Sequence, residues 1–113
     1  MPRLSGAEQS GRRLSASLDL ASFADFRGRA EVAKRASRSW ASATFVGARH
    51  VLELHFAGEG AGAAAGDFLD GLGSREFDLP GHVVADIALV SDERNSEGTM
   101  VRLVVEALTV EAD

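Results

Sequence analysis

The stretch ASATFVGARHVLELHF, residues 41–56, decides the fold that the sequence predicts. Its apolar residues alternate with polar ones, as they do in a strand that has one buried face. Gly47 and Ala48 fit a two-residue turn that favours glycine at its first central position. The stretch therefore predicts a β-hairpin, and the pairing across this turn places Trp40 opposite His55.

Upstream of this stretch, leucine or alanine alternates with polar residues over residues 14–20, which predicts a half-buried strand. Residues 22–38 place apolar side chains at helical spacing among five basic residues, and predict a basic helix. The polar, aperiodic residues 1–11 predict a loose tail. Residues 12–113 then form a single domain, which suits their length.

Downstream, the Gly- and Ala-rich residues 58–73 carry an apolar face at helical spacing and predict a short second helix that ends at Gly71 or Gly73. Two further alternating stretches, residues 83–90 and 100–108, predict strands joined by a polar loop. The element order is therefore β-α-β-β-α-β-β.

This order predicts an α+β fold of the ferredoxin-like kind, with a mostly antiparallel sheet. Right-handed crossovers put both helices on one face of that sheet. Its order and size also resemble the dimeric α+β barrel families, a resemblance that implies two sheets packed face to face around a cavity. The chain carries no residue motif of those families, so the resemblance supplies no site residue.

The composition of the chain excludes several kinds of protein chemistry. The chain has 113 residues and no cysteine, which excludes disulfides, thiolate catalysis and cysteine-ligated metals. Residues 1–10 lack the apolar core of a secretory signal, and no apolar run reaches the roughly 20 residues that cross a bilayer. These features predict a cytoplasmic protein with no membrane contact. The charge is uneven, with +5 on residues 1–50 and −10 on residues 51–113.

The candidate site lies on the sheet face that the two predicted helices leave open. In a ferredoxin-like sheet, Asp19 near the end of the first strand and His55 near the end of the third face the same side. The hairpin register adds Trp40, and Glu53 lies two residues from His55. An oriented histidine beside an aromatic surface is typical of a general base in a ligand site. The alternative is a structural hydrogen bond or an ion pair at a dimer interface.

Other chemistries find less support. His50 and His55 are five residues apart, so a regular strand directs them to opposite faces and they cannot bind one metal ion together. The glycines of residues 58–62 lack the spacing of a dinucleotide-binding fingerprint. Acidic side chains on the open face would repel nucleic acid phosphates. We therefore expect no metal, no cofactor and no nucleic acid partner.

Together these observations predict a small cytoplasmic α+β protein that forms a homodimer through its open sheet face and has no catalytic motif. A large exposed apolar patch usually marks an interaction site, and pairing of two copies would cover it. Two alternatives stay open. One is a small-molecule-binding protein or enzyme with a cavity near His55, and the other is an adaptor that docks its basic helix on an acidic partner.

Overall fold

The computed structural model describes residues 6–18, 28–74, 77 and 79–112. Two helices and four strands follow one another in this part of the chain. Their bounds are α1 Gly6–Ser17, β1 Gly28–Ala41, β2 Val46–Gly58, α2 Ala61–Leu72, β3 His82–Arg94 and β4 Met100–Glu111. The fold is α+β, as the sequence predicts.

The four strands form one sheet in the order β1-β2-β4-β3, and every neighbouring pair is antiparallel. This order differs from the ferredoxin-like arrangement, in which two parallel strands occupy the centre. Both helices nevertheless pack on the same face of the sheet, because Leu14 of α1 and Phe68 of α2 join one buried core with Leu54 and Leu103 of the central strands. The sheet therefore carries two helices on one face, although the first of them is not the helix that the sequence predicts.

The first helix lies where the sequence predicts a strand. Leu14 and Leu18 are fully buried while Ala16 between them is exposed, so the buried face follows helical spacing. A separation of four residues satisfies both the strand and the helix period. The alternation over residues 14–20 therefore did not distinguish the two structures.

The prediction for the first eleven residues needs the same correction. Helix α1 begins at Gly6, so residues 6–11 are helical. Glu8 in its first turn places a negative charge where the helix dipole favours one. Residues 1–5 lie outside the described residues.

Strand β1 occupies most of the predicted basic helix, which is therefore wrong over residues 28–38. A bulge at Ala33 interrupts its pairing with β2. The extra residue moves the covered face from Ala30 and Val32 to Arg35 and Ser37, so that one separation of three residues interrupts the strict alternation. This spacing imitates a helix.

The hairpin turn lies at residues 42–45, before the predicted Gly47-Ala48 turn. The backbone N–H of Ser42 donates to the Phe45 carbonyl at 2.8 Å, and the Phe45 N–H donates to the Ser42 Oγ at 3.1 Å. Gly47 is instead a buried residue of β2, where an added Cβ would overlap the carbonyl oxygen of Thr109. Position 47 therefore requires glycine, because β2 and β4 approach each other closely there.

The second half of the chain follows the sequence prediction. Helix α2 ends at a Gly73 cap, and β3 and β4 extend the two predicted strands by a few residues. Bulges in β3 after Val84 and Leu89 break the predicted alternation. Val84 and Ile87 consequently both pack against the core, although an odd separation predicts opposite faces.

Candidate functional site

The sheet face opposite the two helices, which we call the open face, is the candidate site. In the described part of the chain, both helices pack on the other face. The register assigns to the open face Arg29, Glu31, Lys34, Ala36, Arg38 and Trp40 of β1, Arg49, Val51, Glu53, His55 and Ala57 of β2, Met100, Arg102, Val104, Glu106, Leu108 and Val110 of β4, and Val83, Asp86, Ala88, Ser91 and Glu93 of β3.

One end of the open face carries an ion-pair network around Glu53, which we call the charged end. The His55 Nε2–H donates to Glu53 Oε2 at 2.7 Å, and the Arg102 Nη2–H donates to Glu53 Oε1 at 2.7 Å. Arg102 also donates through Nη1 to Glu93 at 3.2 Å. The network therefore links the two central strands to the β3 edge.

Glu53 is the centre of this network. Its side chain is 11% exposed, whereas those of His55 and Arg102 are 40% and 43% exposed, because the two partners cover the carboxylate. The hydrogen bonds from Arg102 and then His55 lower the pKa of Glu53. The hydrogen bond to Glu53 correspondingly raises the pKa of Arg102. Glu53 is thus held as a carboxylate with both oxygens occupied, which suits a structural role better than proton transfer.

A groove of 380 Å³ lies beside the network, at the end of the sheet where β2 ends and β4 begins. This volume is within the range of small-molecule sites, roughly 300–1,000 Å³. The groove is open to solvent and combines opposite charges with an exposed apolar side chain. Its lining includes Arg29, Glu31, His55, Arg94, Met100 and Arg102.

The predicted site residues are only partly brought together. Glu53 and His55 are hydrogen bonded, as their spacing allows. Trp40 lies opposite Gly47, eight residues and about 26 Å along β2 from His55, so the predicted Trp40–His55 contact is wrong. The cause is the misplaced turn. Asp19 lies outside the described residues.

Trp40 instead belongs to a second region of the open face, which we call the apolar end. Trp40, Gly47, Val110 and Val83 form one row across the four strands, and Leu108 and Val51 follow towards the sheet centre. The indole nitrogen of Trp40 is buried and has no hydrogen-bond acceptor in the described part of the chain. Val51 and Val83 are 37% and 55% exposed. This region is apolar surface that its own chain leaves partly uncovered.

Sequence reasoning missed Arg102 and Glu93 as members of the site. The predicted topology did not make β2 and β4 neighbours. His55 pairs directly with Arg102 because β2 and β4 are adjacent strands. No local pattern in the sequence indicates that adjacency.

The other histidine of β2, His50, lies under α1 in a buried polar cluster. Its Nε2 is 2.9 Å from Thr109 Oγ1, and its Nδ1 is 2.8 Å from Ser37 Oγ. Ser10 Oγ lies 3.4 Å from Nε2. All three hydroxyl groups come from different elements, so the cluster joins α1 to three strands.

The donors in this cluster can be assigned. Thr109 Oγ1 donates to the Ala48 carbonyl at 3.3 Å and Ser10 Oγ donates to the Ala7 carbonyl at 3.0 Å. Each hydroxyl has one proton, so both can only accept from His50. Nε2 therefore carries the hydrogen and Nδ1 accepts from Ser37. This neutral tautomer agrees with the effect of burial, which lowers the pKa of His50.

Two further tests concern metals and membranes. Among the residues that the structure describes, no three His, Asp or Glu side chains come together as a possible metal site. Within the same ranges, neither helix has the length and apolar character needed to span a membrane.

Comparisons with known proteins identify the fold alone. No protein-family model matches the chain, and no curated protein matches it. Among solved structures, the chain is similar to a chain in the virion of a native gene transfer agent particle, with a TM-score of 0.64 and 19% sequence identity. The similarity covers 96% of this chain and 100% of the other. At this identity the similarity concerns the arrangement of helices and strands.

Proposed function

We propose that this protein is a structural subunit that assembles with other protein chains, and that its open sheet face is the contact surface. The observation that carries the proposal is that, in the described part of the chain, only one face of the sheet is covered. Four strands of 12–14 residues have both helices on one face, while the opposite face ends in a row of apolar side chains around Trp40.

The apolar end has the properties of a protein contact. Val83 and Val110 lie in the same row as Trp40, and the indole N–H has no acceptor among the described residues. A partner would cover this partly exposed apolar surface. Arg38, Arg49 and Asp86 lie between the Trp40 row and Val51, so this surface combines apolar and charged side chains, as many protein interfaces do.

The fold similarity supports the same class of function. The similar chain belongs to a virion particle, and we extend that setting to this protein as a proposal. Assembly also agrees with the ion-pair network, because Glu53 is satisfied by Arg102 and His55 and offers no free base. Homodimerisation through the apolar end is the simplest form of the proposal. A location in the cytoplasm stays a prediction of the sequence.

The test is the mass of the purified protein in solution. Light scattering at increasing micromolar concentrations should show a mass above 11.9 kDa, the mass of a single chain. Electron microscopy of the same sample should show particles of one defined size. A single 11.9 kDa species at every concentration would contradict self-assembly.

Small-molecule binding is a second candidate, favoured by the groove at the charged end. Arg29 in its lining has no ion pair among the described residues, whereas Arg94 and Arg102 are held by carboxylates, so Arg29 is the residue that would bind an anionic ligand such as a carboxylate. Succinate, titrated by calorimetry, is a simple probe. Binding that is weakened at least about tenfold by Arg29→Ala would support this candidate. No measurable heat at millimolar succinate would contradict it for this ligand class.

A further inference from the structure

We infer that copies of this chain join head to tail, with the β1 edge of one copy beside the β3 edge of the next. The inference rests on the proposed assembly function and names the surfaces that join the copies. It concerns the two edges of the sheet, whereas the proposal above concerns its open face.

Both edges are available for pairing. Strands β1 and β3 are the outer strands, of 14 and 13 residues, and neither pairs with a further strand in the described part of the chain. Such long edges present rows of unpaired N–H and C=O groups, which are templates for a strand from another chain. Neither edge contains a proline to block pairing.

The two edges carry opposite charge. Strand β1 has four basic residues and one acidic residue, and is therefore +3. Strand β3 has three acidic residues and one arginine, and is therefore −2 with neutral histidine. Pairing of β1 with β1, or of β3 with β3, would place like charges together. Pairing of β1 with β3 places opposite charges together and is the favoured combination.

The strand directions allow this pairing without any change of orientation. Because each neighbouring pair in the order β1-β2-β4-β3 is antiparallel, β1 and β3 also run in opposite directions. A second copy in the same orientation therefore places its β1 antiparallel to the β3 of the first. Such a head-to-tail contact uses two different surfaces and generates a ring or a filament.

One row of the sheet gives the inference a specific contact. Arg38, Arg49, Leu108 and Asp86 are neighbours across the four strands, so Arg38 and Asp86 occupy opposite edges of the same row. Arg38 lies directly opposite Arg49, and this like-charged pair is unfavourable without an anion nearby. Neither Arg38 nor Asp86 has an ion-pair partner within the described residues. A next copy that continues the row places Asp86 beside Arg38.

This row is paired across all four strands, although Asp86 directly follows the bulge residue Ala85. The bulge of β1 is at Ala33, and those of β3 are at Ala85 and Val90. Arg38 and Asp86 are outside these irregular positions, as are Ala36 and Ala88 in the adjacent row on the same face. Both rows can therefore continue from copy to copy.

Charge reversal tests the contact. Arg38→Glu and Asp86→Arg should each raise the dissociation constant of the assembly about tenfold or more, because each places like charges together. The double variant Arg38→Glu/Asp86→Arg should restore assembly. Matched reversals on exposed helix positions, Arg12→Glu and Asp70→Arg, should leave the mass unchanged. Circular dichroism confirms that each variant is folded.

Cysteine crosslinking tests the head-to-tail geometry, since the natural chain has no cysteine. Oxidation of Ala36→Cys/Ala88→Cys should yield a ladder of dimers, trimers and larger species. Each single variant should stay monomeric on the denaturing gel, because position 36 faces position 88 of the next copy and not a second position 36. An assembly that keeps its mass in both charge reversals, or that gives no crosslinks beyond dimers, overturns the inference. A wild-type protein that is always a monomer would instead overturn the proposed function itself.

Discussion

Two histidines of one strand show how differently the two faces of this sheet are used. His50 and His55 are five residues apart on β2, and the strand directs them to opposite sides. His50 is fully buried under α1 and bonded to neutral hydroxyl groups. His55 is partly exposed and bonded to a carboxylate. The covered face holds the fold together, while the open face presents charge and apolar surface to solvent.

The difference teaches which interactions matter for stability. Removal of a buried hydrogen-bond partner leaves the other polar group with neither a protein partner nor water, which lowers the free energy of unfolding. In the Glu53–His55–Arg102 network, the two side chains that cover the carboxylate are partly exposed and screened by salt, so the contribution of each to stability is small. We therefore expect substitutions at the two histidines to have unequal effects.

The largest expected effect is that of His50→Ala. It leaves a cavity and removes the acceptor of the Ser37 hydroxyl, so the free energy of unfolding should fall by about 2–4 kcal/mol. His55→Ala is the matched control on the same strand, and should change stability little. Urea unfolding of both variants measures the difference. Equal destabilisation by the two substitutions would remove the contrast between the faces.

A smaller effect is expected where α1 approaches the sheet. An added Cβ on Gly11 would overlap Ser37 Oγ and lie 3.2 Å from His50 Nδ1. In Gly11→Ala the Ser37 hydroxyl must turn away from His50, and the protein should lose about 1–2 kcal/mol despite the better helix propensity of alanine.

Gly66→Ala in α2 is the control for Gly11→Ala. A Cβ there meets nothing within 4 Å, so this variant should gain about 0.5–1 kcal/mol from helix propensity alone. Thermal unfolding should thus move in opposite directions for the two variants. A rise in melting temperature for both would show that α1 does not sit tightly over His50.

The smallest expected effect is on how stability varies with pH. The free energy of unfolding should change over two separate pH ranges, or windows, one for His50 and one for Glu53. Burial, followed by the charges of His82 and Arg35, lowers the pKa of His50. The unfolded chain binds this proton near pH 6.5, whereas the folded chain resists it. The contribution of neutral His50 to the free energy of unfolding is therefore complete above about pH 6.5. It falls as the pH is lowered, by at most about 1.4 kcal/mol per pH unit.

The pKa of Glu53 is also lowered in the folded state, but Glu53 affects stability over a lower pH range than His50 does. Its contribution is complete above about pH 4.3 and is lost as the pH falls below that value. Denaturation at a series of pH values should show both windows. His50→Gln should remove the upper one alone, and Arg102→Gln should reduce the lower one alone. A wild-type stability that is constant between pH 6.5 and 5 would contradict the account of His50.

The sequence predicts the second half of the fold better than the first, for physical reasons. Strand β4 is a central strand whose residues alternate between a packed and an open face, so burial and sequence share one period. Strand β1 is an edge strand with four basic residues and a bulge at Ala33, and carries little of that pattern. In α1, Leu14 and Leu18 fit both periods. Only the exposure of Ala16 separates a helix from a strand.

The candidate site depends on facts that local patterns do not contain. The Glu53–His55 contact could be predicted, because residues two apart on a strand share a face. The contact of Glu53 with Arg102 requires the neighbourhood of β2 and β4, which is set by the whole topology. Trp40 was misplaced because Gly47 looked like a turn residue, while its actual role is to let β2 approach Thr109.

The most direct test of the central claim combines stability and mass in one variant, Val51→Arg at the apolar end of the open face. If the covered face determines stability and the open face mediates assembly, light scattering should show a smaller mass for Val51→Arg than for the wild type, because only the contacts between sheet edges remain. Its urea unfolding midpoint should match that of the wild type at the lowest concentration measured. Met100→Arg, at an exposed position near the charged end, is the control and should still assemble. A Val51→Arg protein that keeps the wild-type mass, or that unfolds, would contradict the division between the two faces.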